Sequence, residues 1–183
     1  MKLSLLICSL HERHEQLKAL QLSIVKQDPK RNDIEMCTLI DNGEMSVGEK
    51  RNELIRMAKG DYVAFIDDDD RISKDYIEEV LKGINDNVDC CSLVGEITTN
   101  GTNPKLFVHS IKYDHYFESE GVYYRPPNHL NVIKKELITE FRFPDTDYGE
   151  DTNWAIQIAN SQILKKEYEI KKIIYHYDYR TRK

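Results

Sequence analysis

Three short apolar runs, Leu3–Cys8, Ile34–Ile40 and Tyr62–Ile66, alternate with helical patterns through the first half of the chain. Each run is continuously apolar, so each strand must be covered on both faces. That is the condition of a parallel sheet lying between two layers of helices. The intervening segments fit: Leu17, Leu20 and Ile24 share one face of a first helix. A second helix is expected from about Gly48 to Ala58, closed by Lys59-Gly60 as a glycine C-cap. Ser73 stands where it can cap a third, running to about Leu81. In such sheets a ligand sits outside the carboxyl ends of the strands. Those ends are Ser9–Arg13, Asp41–Gly43 and Asp67–Asp70, and all three are polar.

The second half breaks the alternation. Cys90–Thr98 and Lys105–Ile111 read as antiparallel strands around Asn100-Gly101, and Tyr113–His129 as a long functional loop. After Leu130–Ile133, a helix is expected over Lys134–Glu140 and another from about Glu150 to Ile163, with Trp154, Ala155 and Ile158 inward. A last strand, Ile170–Tyr177, leads into a basic tail. No linker or repeat interrupts the 183 residues, so they read as one domain, 1–183.

A net charge of -6 argues against a protein that depends on bulk attraction to nucleic acid or anionic membrane. The first apolar run falls far short of the roughly 20 residues a membrane span needs, and no small-residue cleavage site follows it. No membrane span and a cytoplasmic location are therefore expected. Cys8, Cys37, Cys90 and Cys91 lack the spacing of a zinc site and read as small buried hydrophobes.

Chemistry concentrates at Asp67-Asp68-Asp69-Asp70. Four successive carboxylates repel one another, and a cation relieves that cost. Asp67 and Asp69, alternate residues after a strand, can offer hard oxygens to Mg2+ or Mn2+ while leaving room for phosphate. An EF-hand starting at Asp67 is rejected, because Ile72 stands where that loop needs glycine and Arg71 at a ligand position. A haloacid-dehalogenase-like phosphohydrolase stays open, although Arg71 or Ile72 replaces its usual Thr or Val.

The stretch from Ser46 to Asn52, continued by Ala58-Lys-Gly-Asp-Tyr-Val-Ala-Phe-Ile-Asp-Asp-Asp-Asp70, resembles family 2 glycosyltransferases of the GT-A fold. Those enzymes show an ARN helix followed by A-x-G-x-Y-[IV]-x-[FL]-[LI]-D-x-D-D. Gly149-Glu150-Asp151 is similar to the acidic pair that opens a later helix in the family. The resemblance spans about residues 2–158. It implies an α/β fold of GT-A type: a Rossmann-like, mainly parallel sheet flanked by helices, with a mixed acceptor-side region. Residues 1–88 would bind the nucleotide sugar and residues 89–183 the acceptor. Asp41 would contact base or ribose, and Arg51 with Asn52 would lie near the diphosphate. Ser9, Arg13, Gly48 and Asp68 would complete the nucleotide site. Asp67 and Asp69 match the Asp-x-Asp metal element, with Asp69 the more direct ligand and manganese or magnesium the ion. Asp151 would be the general base, with Glu150 beside it.

The implied reaction moves a sugar from a nucleotide-diphosphate donor, UDP-linked in this reading, to an acceptor hydroxyl with inversion. Asn42 replaces the family's common second Asp, and Cys8-Ser9-Leu10-His11 its usual first turn. The Gln-x-x-Arg-Trp element of processive synthases is absent, so a single addition is expected. His176 is a candidate further metal ligand, and His129 is weighed between the acceptor side and loop scaffolding. Trp154 reads as core before sugar stacking. Residues 165–183 carry seven Lys and Arg against three acids. That basic tail keeps modified nucleic acid as a minority acceptor beside carbohydrate and other hydroxyl-bearing molecules. A nucleotide-sugar-binding module without turnover is the non-enzyme alternative.

Overall fold

The computed structural model describes residues 1–28 and 30–180. The strand β1 (Leu3–Leu10) is followed by α1 (His14–Val25), β2 (Ile34–Asp41), α2 (Val47–Met57) and β3 (Tyr62–Phe65). Both β2 and β3 pair with β1 in parallel, as the apolar runs predict. Alternate side chains enter two cores. Leu3, Leu5 and Ile7 of β1 share one with Leu17, Leu20 and Ile24 of α1. Leu6 joins Leu54 and Ile55 of α2 in the other. The sheet is thus covered on both faces.

Element ends are set by local chemistry. The Ser46 hydroxyl accepts from the Glu49 amide at 3.1 Å, and the Glu49 carboxylate accepts from the Ser46 amide at 3.3 Å, a capping box that starts α2. The other end departs from expectation, because α2 closes at Ala58 in extended backbone and Gly60 has no positive φ. A Cβ on Gly60 would fall 2.6 Å from the Ser4 amide nitrogen, so this glycine lets the chain cross the start of β1. After β4 (Arg71–Ile72), α3 (Tyr76–Asn85) begins at Asp75 and not at Ser73, whose hydroxyl instead donates to the Asp75 carboxylate.

The expected strand Cys90–Thr98 is broken at Ser92 into β5 (Cys90–Cys91) and β6 (Leu93–Thr99), which belong to different sheets. The Ser92 amide donates to Tyr168 O at 2.9 Å, and its hydroxyl accepts from the Ile170 amide at 2.7 Å, which fixes the crossing point. Asn100-Gly101, both at positive φ, turn the chain into antiparallel β7 (Thr102–His109). The segment Tyr113–His129, expected as loop, contains a hairpin of β8 (Phe117–Ser119) and β9 (Val122–Arg125). The helix expected over Lys134–Glu140 shrinks to β10 (Ile133–Lys134) and a single 3-10 turn. Trp154, Ala155 and Ile158 are buried on α4 (Glu150–Ser161), as its pattern predicts. The expected Ile170–Tyr177 strand is replaced by β11 (Glu167–Tyr168) and β12 (Tyr175–Tyr179).

One sheet has the order β11-β5-β10-β3-β1-β2, and the second β4-β12-β6-β7-β9-β8. The carboxyl ends of β1, β2 and β3 therefore open together on one side. Among the described residues no helix is long and apolar enough to cross a membrane. Cys90 and Cys91 are buried free thiols, while Cys8 and Cys37 are half-buried.

Candidate active site

The acidic run leaves the end of β3, and each of its carboxylates meets different surroundings. Asp67 takes a hydrogen bond from Arg51 Nη2 at 3.2 Å and lies 3.4 Å from His129 Nε2. Desolvation opposes its charge, but the Arg51 guanidinium and then His129 outweigh that and hold it well below the usual carboxylate range. Asp68 is buried, accepting from the Ser9 hydroxyl at 2.6 Å and from Arg13 at 3.0 Å. Asp69 is the most open, with 42% of its side chain exposed and Arg13 at 3.4 Å. Desolvation raises its pKa against the pull of Arg13, with Asp68 and Asp67 adding to the rise. Burial, then the Asp67 charge, pushes Asp70 up to about 9. The Tyr175 hydroxyl, from β12, donates to Asp70 at 2.7 Å and accepts from the Asp67 amide at 3.2 Å.

α2 underlies the site and fastens it to the segment before α4. Lys50, buried, pairs with Asp41 and donates to Ser9 O at 3.2 Å. Asp41 also accepts from the amides of Gly43 at 3.1 Å and Met45 at 2.9 Å, so it organises its own loop. Arg51 is only 4% exposed. It joins Asp67 to Glu150, whose Oε1 is 3.3 Å from Nη1, and its guanidinium lies over the rings of Phe65 and Phe143. Asn52 bonds the Phe143 backbone twice, at 2.8 and 2.9 Å. Gly48 donates its amide to Thr146 O at 3.1 Å. The roles the resemblance implies for Arg51, Asn52 and Gly48 meet groups that are already engaged in holding α2 to residues 143–150.

The Gly48 contact is testable. A Cβ there would lie 1.8 Å from Pro144 O, which is backbone and cannot rotate away. Gly48→Ala should therefore lower stability by about 1–3 kcal/mol, the usual cost of overpacking. Urea unfolding measures it, and an unchanged midpoint would show that the two segments are not in close contact.

At the start of α4, Gly149 takes a φ of 75° and two carboxylates follow. Glu150 is buried on Arg51. Asp151 is half-exposed, with Oδ2 3.8 Å from His129 Nδ1. The positive end of the helix dipole favours both. His129 thus stands between Asp67 and Asp151. Trp154 is 1% exposed and stacks on Phe143 at 4.6 Å, which makes it core.

His176 lies on β12 with Nδ1 3.7 Å from Glu96 Oε1. Among the described residues no three His, Cys, Asp or Glu side chains gather as a ready metal cage. Arg182 and Lys183 of the basic tail lie outside the described residues. Sequence reasoning missed Lys50 and Tyr175. Only the adjacency of Lys50 to Arg51 on a helix under the strand ends could have signalled the first. A cleft of about 660 Å3, lined in part by Lys2, Tyr62 and Lys134, sits at the amino ends of β1 and β3, away from these carboxylates.

The family profile described as Glycosyl transferase family 2 matches residues 4–157. The chain belongs to glycosyl transferase family 2. It is similar to EpsH of Bacillus subtilis (strain 168), a protein whose name assigns it provisionally to the glycosyltransferases. The two are 35% identical over 65 residues, 34% of this chain and 19% of EpsH. In fold it is similar to S. aureus TarS. The TarS 1–349 complex with UDP superposes with a TM-score of 0.72 at 18% identity, covering 97% of this chain and 60% of that one. The corresponding complex with UDP-GlcNAc gives 0.71 at 16% identity, covering 100% and 60%. This family 2 chain therefore spans 60% of the length of those TarS chains. The likeness establishes the GT-A-type α/β fold that the resemblance implies.

Proposed function

We propose that the protein is an inverting, single-addition glycosyltransferase that moves a sugar from a UDP-linked donor to an acceptor hydroxyl. One observation carries this reading: the Asp67–Asp70 run and Asp151, far apart in sequence, are brought to opposite sides of His129. A donor diphosphate at the strand ends and an acceptor beside α4 would then meet between them. The TarS structures, solved with UDP and with UDP-GlcNAc, support a uridine donor.

The acidic run fits a divalent ion. Asp69 is the most open carboxylate of the run, and desolvation, with the Asp68 and Asp67 charges, disfavours its charge against the pull of Arg13, a cost that a cation would relieve. Asp69, with Asp67 beside it, would hold Mn2+ or Mg2+, whose charge stabilises the departing diphosphate. Arg13, 41% exposed at the end of β1, can offer a guanidinium to the same group. Ser9 and Asp68 keep Arg13 in place. Asp151 accepts the acceptor's proton, since Glu150 is occupied by Arg51. Attack and departure on opposite faces of the sugar carbon give inversion.

Thermal denaturation with UDP tests the donor and metal assignments together. With Mn2+ and UDP at about a hundred times Kd, the melting temperature should rise by roughly 5–10 °C. Asp69→Asn should remove the Mn2+-dependent part without lowering the ligand-free melting temperature. An unchanged shift in that variant would overturn the metal assignment. No shift in the wild type would overturn the donor.

A further inference from the structure

Arg125 ends β9, in register with His109 on β7, and its guanidinium carbon lies 5.3 Å from the Tyr116 ring centroid and 5.8 Å from that of Tyr123. It is partly buried, yet among the described residues it makes no ion pair. Arg13, Arg31 and Arg51, the other described arginines withdrawn from solvent, reach a carboxylate at 3.0, 2.6 and 3.2 Å respectively. Withdrawing a guanidinium from water without an anion is unfavourable, and aromatic faces compensate only in part.

The surroundings say where such an anion would sit. Tyr116, beneath Arg125, has an enclosed hydroxyl close to Thr152 and Asn128 but without a well-formed hydrogen bond. Burial first and the Asp151 carboxylate second raise its pKa, while Thr152, Arg125 and Asn128 work the other way. The Tyr116 phenol, over which Arg125 lies, thus also feels the charge of Asp151. The neighbouring His109 is fully buried and bonded to Asn131 at 3.0 Å, and its imidazole supplies no negative charge. Arg125 is left as a cation over Tyr116, and both Tyr116 and His109 feel its charge together with that of Asp151.

We infer that the acceptor carries an oxyanion, carboxylate or phosphate, near its reacting hydroxyl, and that Arg125 binds it. The inference rests on the transfer reading, in which Asp151 faces the acceptor. A guanidinium fork matches both oxyanions in two-point contact, and the rings of Tyr116 and Tyr123 hold the fork in plane before the ligand arrives. A neutral acceptor would leave the cation as it stands. An anionic one neutralises it and is oriented by it, so Arg125 is a specificity residue for the acceptor and has no part in donor binding.

Glucose, glucuronate and glucose 6-phosphate separate the cases, titrated by NMR into the protein with and without UDP and Mn2+. At least one anion should bind about tenfold more tightly than glucose, as a hydrogen-bonded charge pair provides. Arg125→Gln should erase that preference with UDP affinity and melting temperature unchanged, and Arg125→Lys should retain part of it. Preference for glucuronate assigns a carboxylate, and preference for glucose 6-phosphate a phosphate. Equal binding of all three, no binding of either anion, or a preference that survives in Arg125→Gln would overturn the inference. Failure of UDP to bind defeats the donor reading instead, and the anion comparison is still decided on the nucleotide-free protein.

Discussion

Asp151→Asn should lower sugar transfer by about 10²–10⁴-fold, the loss typical of a missing general base. Asparagine keeps the size and the hydrogen-bonding capacity of the side chain but cannot take a proton at neutral pH. Of the two carboxylates that open α4, Glu150 is buried and 3.3 Å from Arg51, whereas Asp151 is half-exposed and faces His129. Only Asp151 is free to meet an acceptor. UDP affinity should hardly change, because the groups assigned to the donor lie beyond His129 on the strand ends. The competing account gives Asp151 a helix-dipole role alone, which predicts a stability loss of at most about 1 kcal/mol and undiminished transfer. UDP release and product formation, measured with donor binding on one preparation, decide between them. Full activity in the variant places the base elsewhere.

Arg51→Met should unfold far more readily than the parent, by about 3–5 kcal/mol, the cost of leaving buried charge without its partner. On a chain of this size that is a fall of roughly 6–20 °C in melting temperature. The Arg51 side chain is 5% exposed, and it pairs with both Asp67 and Glu150. Removing it leaves Glu150 buried at the start of α4 and Asp67 facing three more acids. Glu150→Gln in the same chain should restore part of the loss, because the two sites share one network. If Arg51 instead served the diphosphate directly, the single variant would melt normally and bind UDP weakly. That result would reverse the structural reading.

The parallel strands and α4 were legible because their signals are local. Leu17, Leu20 and Ile24 declare one helix face, and Trp154, Ala155 and Ile158 another. Two turns show where such signals end. Asn100-Gly101 and Glu120-Gly121 both place two residues at positive φ between antiparallel strands, yet only the first has the composition that announces it. Glutamate rarely adopts that conformation, and the β8–β9 hairpin was hidden for that reason. The acidic run was legible from four adjacent carboxylates. The role of Arg51 was not, since its partner Glu150 lies about a hundred residues away and is delivered by Asn52 and Gly48 holding the intervening segment. The break at Ser92 was equally silent, because a strand that changes sheets keeps its apolar pattern.

The last two strands have a consequence for synthesis on the ribosome. β11 lies at the edge of one sheet and β12 inside the other, and Tyr175 of β12 tethers both the Asp67 amide and the Asp70 carboxyl. A nascent chain that has emerged only as far as α4 already contains every proposed donor and acceptor carboxylate. It lacks the phenol that fixes the acidic loop and the strand that joins β4 to β6. At translation speeds of about 5–20 residues per second, the eighteen residues from the end of α4 to the end of β12 arrive within seconds. Until then the acidic loop is held from below by Arg51, Ser9 and Arg13, and its tether from the second sheet comes with β12.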